Sequence, residues 1–269
     1  MRIFTFWEPR RNLPGYIEAC IATWRKYIPD ADVRILDFTS LRELIGEQEF
    51  DLATSTALQR SGMAKQVDVY KSLLLAKFGG IFMDADTIIT PKFGAMASDL
   101  VGDRITMFSQ EHDDLSAAFI YAPRPAMDFI LKWKAEALER VVIFNRYCDK
   151  MWLRILRRSK WRIYRRWNYF FNAIVDPLKK LLPDAVNVLD RNEYGTFPER
   201  DCGNDDDIWQ EYNDYYFGPG DAAHALSFTH GLIMLHNSFT PSAVRAMPME
   251  EFLAQDFRLA KILRVLIGG

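Results

Sequence analysis

The sequence predicts an α/β fold, with a mixed, mainly parallel central sheet flanked by helices. Three observations lead there. A strand, a helix and a second strand follow one another within the first forty residues. A long helix then stops at Gly79-Gly80, directly before the short apolar run Ile81-Phe82-Met83. Further short, buried-type strands recur later in the chain, separated by helical periodicity.

Arg2 to Phe6 has the β-branched and aromatic character of a buried strand, and Trp7-Glu8-Pro9 ends it. Ile17, Cys20, Ile21 and Trp24 recur at helical spacing and predict a helix over Pro14 to Tyr27. Asp32 to Leu36 is the second strand, after the Pro-Asp turn at 29–30. Val67, Tyr70, Leu74 and Leu75 form the stripe of a helix over Gly62 to Phe78. Strands at Arg104 to Phe108 and Ala117 to Tyr121 precede a helix from Pro125 to about Val141. Gly231 to Leu235 is a late strand ending in His236-Asn237-Ser238, and an amphipathic helix over Glu250 to Leu266 closes the chain. With 269 residues and 49% hydrophobic content, the whole of 1–269 reads as one domain.

A net charge of −2 argues against a dedicated nucleic-acid binder, which normally carries a basic field, so no nucleic acid is expected. Cys20, Cys148 and Cys202 are odd in number and widely spaced, which suggests neither a disulfide framework nor a zinc site. The opening residues lack the apolar stretch of a signal peptide, and no window is apolar enough to span a membrane. A reducing cytosol fits best.

Asp84-Ala85-Asp86 is the candidate chemical centre. Two carboxylates suit a hard divalent cation, and a cation neutralises the charge that develops on a diphosphate leaving group. Two residues apart on extended backbone, Asp84 and Asp86 point to the same side. An isolated Asp-x-Asp also fits an ordinary solvated turn. Its context is more specific: Asp68 and Lys71 lie on one helix face, a Leu-rich helix end follows, then Gly79-Gly80, then the apolar strand, then the triplet.

This block resembles that of the DxD-containing sugar transferases of capsular polysaccharide synthesis, relatives of the initiating mannosyltransferases and of the glucosyltransferase domains of large clostridial toxins. Phe4-Thr5-Phe6-Trp7, Pro14-Gly15-Tyr16-Ile17 and Cys20-Ile21-Ala22-Thr23-Trp24 also resemble the start of that family. The family usually has Arg where this chain has Lys71, which keeps the charge and loses the planar fork. The resemblance covers about 1–125 and 231–240.

It implies a GT-A type fold and a hexosyltransferase that retains anomeric configuration. It implies a nucleotide-diphosphate sugar donor, UDP- or GDP-linked, held through Mn²⁺ or Mg²⁺. By the same resemblance Trp7 lies near the base, Asp68 near ribose or sugar, Lys71 among the donor-binding residues, and Asp84 and Asp86 at the metal. His236 or Asn237 supplies a further metal ligand and Ser238 a phosphate contact. Residue by residue, Asp68 also fits a helix-surface ion pair with Lys71, Trp7 an ordinary core position, and His236 a structural histidine. Glu111, Asp113 and Asp114 are placed where acceptor or sugar hydroxyls could bind, or form a solvated acidic loop. Asp205 to Asp207 read as a solvated turn rather than a second metal site.

Trp152 to Phe171 interleaves seven cations with seven aromatics, within a helical subregion over 142–185 expected to face the acceptor or a membrane. Such a mixture suits an anionic lipid surface, single-stranded RNA, or a basic helix packing its rings on the core. The leading expectation is therefore a transferase acting on a lipid-linked or surface glycan acceptor of capsule or lipopolysaccharide type, peripheral on the inner face of the cytoplasmic membrane. The alternatives are a membrane-peripheral or RNA-binding module with an idle α/β domain, and a nucleotide-sugar hydrolase.

Overall fold

The computed structural model describes residues 1–100, 102–109, 114–149, 166, 168–199 and 208–268. The expectations on Glu111, Asp113, Asp205 to Asp207 and most of Trp152–Phe171 lie outside these residues. β1 (Arg2–Phe6), α1 (Gly15–Tyr27) and β2 (Asp32–Leu36) open the chain. α2 (Phe38–Ile45), α3 (Glu47–Ala53), α4 (Thr56–Gln59) and α5 (Met63–Phe78) follow, then β3 (Gly80–Met83) and β4 (Thr87–Ile89). α6 (Phe93–Leu100), β5 (Ile105–Ser109), β6 (Leu115–Ala122) and α7 (Asp128–Asp149) lead to α8 (Asn172–Leu181) and β7 (Val186–Leu189). α9 (Ile208–Phe217), α10 (Ala223–Phe228), β8 (Leu232–Met234), α11 (Ser242–Ala246), α12 (Met249–Ala254) and α13 (Arg258–Gly268) close it.

The fold is mixed α/β, with a mostly parallel sheet of six strands flanked by helices, as the sequence predicts. The chain divides into two compact units, one of Met1–Ile35, Met83–Val101 and Leu189–Gly269, the other of Leu36–Phe82 and Gly102–Val188. Within the first, β2 lies beside β1, and β4 and β8 form a separate antiparallel pair. Within the second, the hydrogen-bonded order is β3-β6-β5-β7, and β5 and β6 are antiparallel. Among the described residues no helix is long and apolar enough to cross a membrane.

β1 and β2 match their expected bounds. α5 also ends as expected: Gly79 takes φ +62° and donates its N–H to Leu75. The single helix expected over Glu250 to Leu266 is instead α12 and α13, with a break at Gln255 to Phe257. On an unbroken helix, residues five apart stand about 140° apart. The break lets the Phe252 and Phe257 rings meet at 5.5 Å, and Phe257 also meets Phe217 at 5.4 Å. α2, α3 and α4 go beyond the elements that the sequence predicts. α2 is started by the capping box of Asp37 and Ser40, a Ser standing where Glu or Gln is usual.

The second unit builds its core on α5 and α7, with Trp133 fully buried. Trp133 donates its indole N–H to the Phe170 carbonyl at 3.0 Å and meets the Phe171 ring edge-on at 5.3 Å. Tyr169, Phe170 and Phe171, the end of the basic aromatic segment, are thus core residues of this unit. Arg140 on α7 explains how α8 tolerates an internal proline. Pro177 has no N–H for the Ala173 carbonyl four residues back. Arg140 Nη2 reaches that carbonyl at 3.1 Å, Nη1 reaches the Tyr169 carbonyl at 2.7 Å, and the guanidinium lies 4.8 Å from the Tyr169 ring centre. Arg140→Ala is expected to cost about 2 kcal/mol, the worth of a charged donor to backbone carbonyls. Thermal melts should show a drop of about 5 °C, with Arg140→Lys in between. A melt within 1 °C of wild type would disprove this role.

Candidate functional site

The first unit brings the acidic triplet and the late polar segment together, and the register of two three-residue strands explains how. β4 pairs with β8 so that Thr87 faces Met234, Ile88 faces Ile233 and Ile89 faces Leu232. Carried one step back along β4 and one step on along β8, the same register sets Asp86 opposite Leu235. The Leu235 N–H donates to the Asp86 carbonyl at 3.2 Å, and at the other end the Thr90 N–H donates to the Gly231 carbonyl at 2.9 Å. The residues after Leu235 must therefore run past the triplet.

The triplet itself is not extended. Ala85 and Asp86 form a turn closed by the Thr87 N–H on the Asp84 carbonyl at 3.1 Å. The two carboxylates are thus presented by a β-turn rather than by alternation along a strand. Asp84 is partly exposed and Asp86 only 8% exposed. Asp86 Oδ2 accepts the Asn237 backbone N–H at 2.8 Å. The Asn237 side-chain oxygen in turn accepts the Tyr16 hydroxyl.

One face of α1 supports this assembly. Tyr16, Cys20, Thr23 and Trp24 recur at i, i+4, i+7 and i+8, the spacing of one helix side. Thr23 Oγ1 accepts the Ile89 N–H at 2.9 Å, and Trp24 Nε1 donates to the Thr87 carbonyl at 2.6 Å. Two side chains of α1 thus fasten β4 while a third reaches the segment after β8. Cys20 is fully buried, and burial, with the Asp86 charge second, pushes its thiol up. Tyr16 is pushed up by burial first and by the Asp86 charge second, so its phenol stays protonated.

His236 sits among aromatics. Its ring stacks on Phe197 at 5.2 Å with an interplanar angle of 8° and meets Phe239 at 5.0 Å and Tyr212 at 5.7 Å. Its backbone N–H donates to the Tyr212 hydroxyl at 3.2 Å, and that hydroxyl lies 3.3 Å from Thr240 Oγ1. Burial pushes the Tyr212 phenol up as well. Ser238 is exposed in the turn that follows, closed by the Phe239 N–H on the His236 carbonyl at 2.9 Å. Trp7, partly buried, follows β1 in the same unit. Among the described residues no three His, Cys, Asp or Glu side chains group as a metal site, so Asp84, Asp86 and His236 do not form a cluster of that kind.

Asp68 and Lys71 belong to α5 in the second unit and are 5% and 3% exposed. Lys71 Nζ lies 3.7 Å from Asp68 Oδ1, donates to the Ala117 carbonyl at 2.8 Å and stands 5.2 Å from the Phe82 ring centre. A buried ammonium needs such company, because the ion pair alone rarely repays its desolvation. Asp114 is exposed.

Sequence reading missed Tyr16, Tyr212 and Thr240 as members of the site. Tyr16 has a signal only in hindsight: a phenol on the buried stripe of α1 must find a partner for its hydroxyl. Tyr212 and Thr240 have none, since the Asp86–Asn237 contact that gathers them spans 151 residues of chain.

No family model matches the sequence, and no curated protein matches it. Solved structures that match include one described as "PaToxG Glycosyltransferase", at a TM-score of 0.39 and 16% identity, over 68% of this chain and 68% of that chain.

Proposed function

We propose that the chain is a metal-dependent, DxD-type glycosyltransferase of GT-A type, which binds a nucleotide-diphosphate sugar through the Asp84-Ala85-Asp86 turn. The observation that supports this best is the hydrogen bond from the Asn237 N–H to Asp86, which unites the two polar motifs that the sequence marks for the donor site. A β-turn carrying two carboxylates, one partly exposed and one held by a backbone N–H, offers hard oxygen donors. That donor chemistry fits Mn²⁺ or Mg²⁺, which commonly take one or two protein carboxylates and draw the remaining ligands from substrate phosphates and water. When bound, the cation neutralises charge growing on the departing diphosphate.

The chain's own residues then have separable roles. Asp84 and Asp86 hold the cation. The exposed Ser238 hydroxyl contacts phosphate, and Trp7 borders the base. His236, set by three aromatic neighbours, places the polar segment. Transfer of a hexose with retention, to a lipid-linked or surface glycan acceptor of capsule or lipopolysaccharide type on the inner membrane face, completes the proposal.

A thermal-shift panel of UDP- and GDP-sugars, each with and without Mn²⁺, tests it. One donor should raise the melting temperature by about 5 to 10 °C in Mn²⁺ only, since a ligand at a hundred times its Kd adds about 2.7 kcal/mol. A panel with no metal-dependent shift refutes the donor site.

A further inference from the structure

Tyr16 is fully buried, with its ring 6.2 Å from that of Phe252. Packing alone would be served by phenylalanine, because a buried hydroxyl left without a partner costs about 1 to 3 kcal/mol. The hydroxyl here has a specific partner. It donates to the Asn237 side chain, 221 residues away in sequence, while the Asn237 N–H donates to Asp86 Oδ2 at 2.8 Å. The chain of bonds thus runs from the first turn of α1, through the segment after β8, to the second carboxylate of the acidic turn.

Both ends of this relay are anchored. Gly15 lies so close to the Pro248 and Met249 backbone that an added Cβ would stand 2.2 Å from the Met249 nitrogen, and its N–H donates to the Met247 carbonyl at 3.1 Å. The start of α1 therefore has little freedom to slide. At the far end, Trp24 and Thr23 hold β4 directly after the turn. A hydroxyl carried on so fixed a helix can orient the Asn237 amide, which a solvent-exposed partner could not do.

We infer that Tyr16 is a positioning residue of the donor site: its hydroxyl fixes Asn237 so that the Asn237 N–H holds the Asp86 carboxylate in its cation-gripping orientation. The inference rests on the donor-site function proposed above. It also gives Asn237 a role different from direct metal ligation, that of orienting a ligand from outside the coordination sphere.

Mn²⁺ titration followed by the EPR signal of free Mn²⁺ tests it, with UDP and, separately, GDP as the accompanying nucleotide. Tyr16→Phe should weaken Mn²⁺ uptake about tenfold, the usual effect of losing a partner behind a ligand. Its melt without ligand should fall by less than about 3 °C. Asn237→Ala cuts the same bond from the other side and keeps the backbone N–H. It should weaken uptake similarly, and the double variant should be no weaker than the stronger single one. Wild-type Mn²⁺ affinity in Tyr16→Phe overturns the inference and leaves the donor site standing. If Tyr16→Phe does not fold, wild-type affinity in Asn237→Ala overturns it instead. If the wild-type chain takes up no Mn²⁺ with either nucleotide, the proposed function itself fails, and the positioning role with it.

Discussion

Asp86→Asn should lose the metal-dependent donor shift entirely, from about 5 to 10 °C to less than 1 °C, while its melt without ligand stays within about 2 °C of wild type. The amide oxygen that replaces the carboxylate can still accept the Asn237 N–H, now made at 2.8 Å, so the local hydrogen bond survives. What disappears is the negative charge on which a hard cation depends. Sugar transfer or donor hydrolysis should fall at least 100-fold, because removing electrostatic stabilisation of a departing group commonly costs that much. Asp86→Ala separates the two roles. It removes the acceptor too, leaves the Asn237 N–H without its partner and should lower the ligand-free melt by about 4 °C, from an expected 1 to 3 kcal/mol. An Asp86→Asn protein that keeps a full Mn²⁺-dependent shift would falsify the assignment of this carboxylate to the metal.

The second large effect concerns stability. Gly15→Ala places a methyl carbon 2.2 Å from the Met249 nitrogen, 2.4 Å from the Pro248 carbonyl carbon and 2.6 Å from the Met249 Cα. All three are backbone atoms, so no side-chain rotation relieves the overlap. Either α1 or the 247–249 stretch must move, and the Gly15 N–H bond to the Met247 carbonyl goes with it. Overpacking of this kind costs about 3 kcal/mol or more, which should lower the melting temperature by at least about 8 °C. Because α1 carries Tyr16, Thr23 and Trp24 to the site, donor-dependent stabilisation should weaken in parallel. Gly94→Ala is the matched control: it lies in α6, an added Cβ there meets nothing within 4 Å, and alanine is the better helix former. If Gly15→Ala melts within 2 °C of wild type, the close approach of α1 to residues 247–249 is wrong.

Sequence by itself determined the α/β class and the bounds of its opening elements, because the apolar runs of β1, α1 and α5 and the turn residues that bound them are local signals. It also marked Asp84, Asp86 and the His236-Asn237-Ser238 segment as candidates, since their chemistry is written in residue type and in the block that surrounds them. It did not foresee β4, whose three residues are too few to establish a period, nor the turn that presents the triplet. The separation of α12 from α13 was equally hidden, because an amphipathic pattern continues across the break that lets Phe252 and Phe257 meet.

Tertiary structure alone decided which polar groups act together. The β4–β8 register brings Asn237 to Asp86, and the buried face of α1 brings Tyr16 to Asn237. Neither contact leaves a trace in local spacing. Each follows from strand pairing and from the need of a buried hydroxyl for a partner, and both operate between segments far apart in the chain.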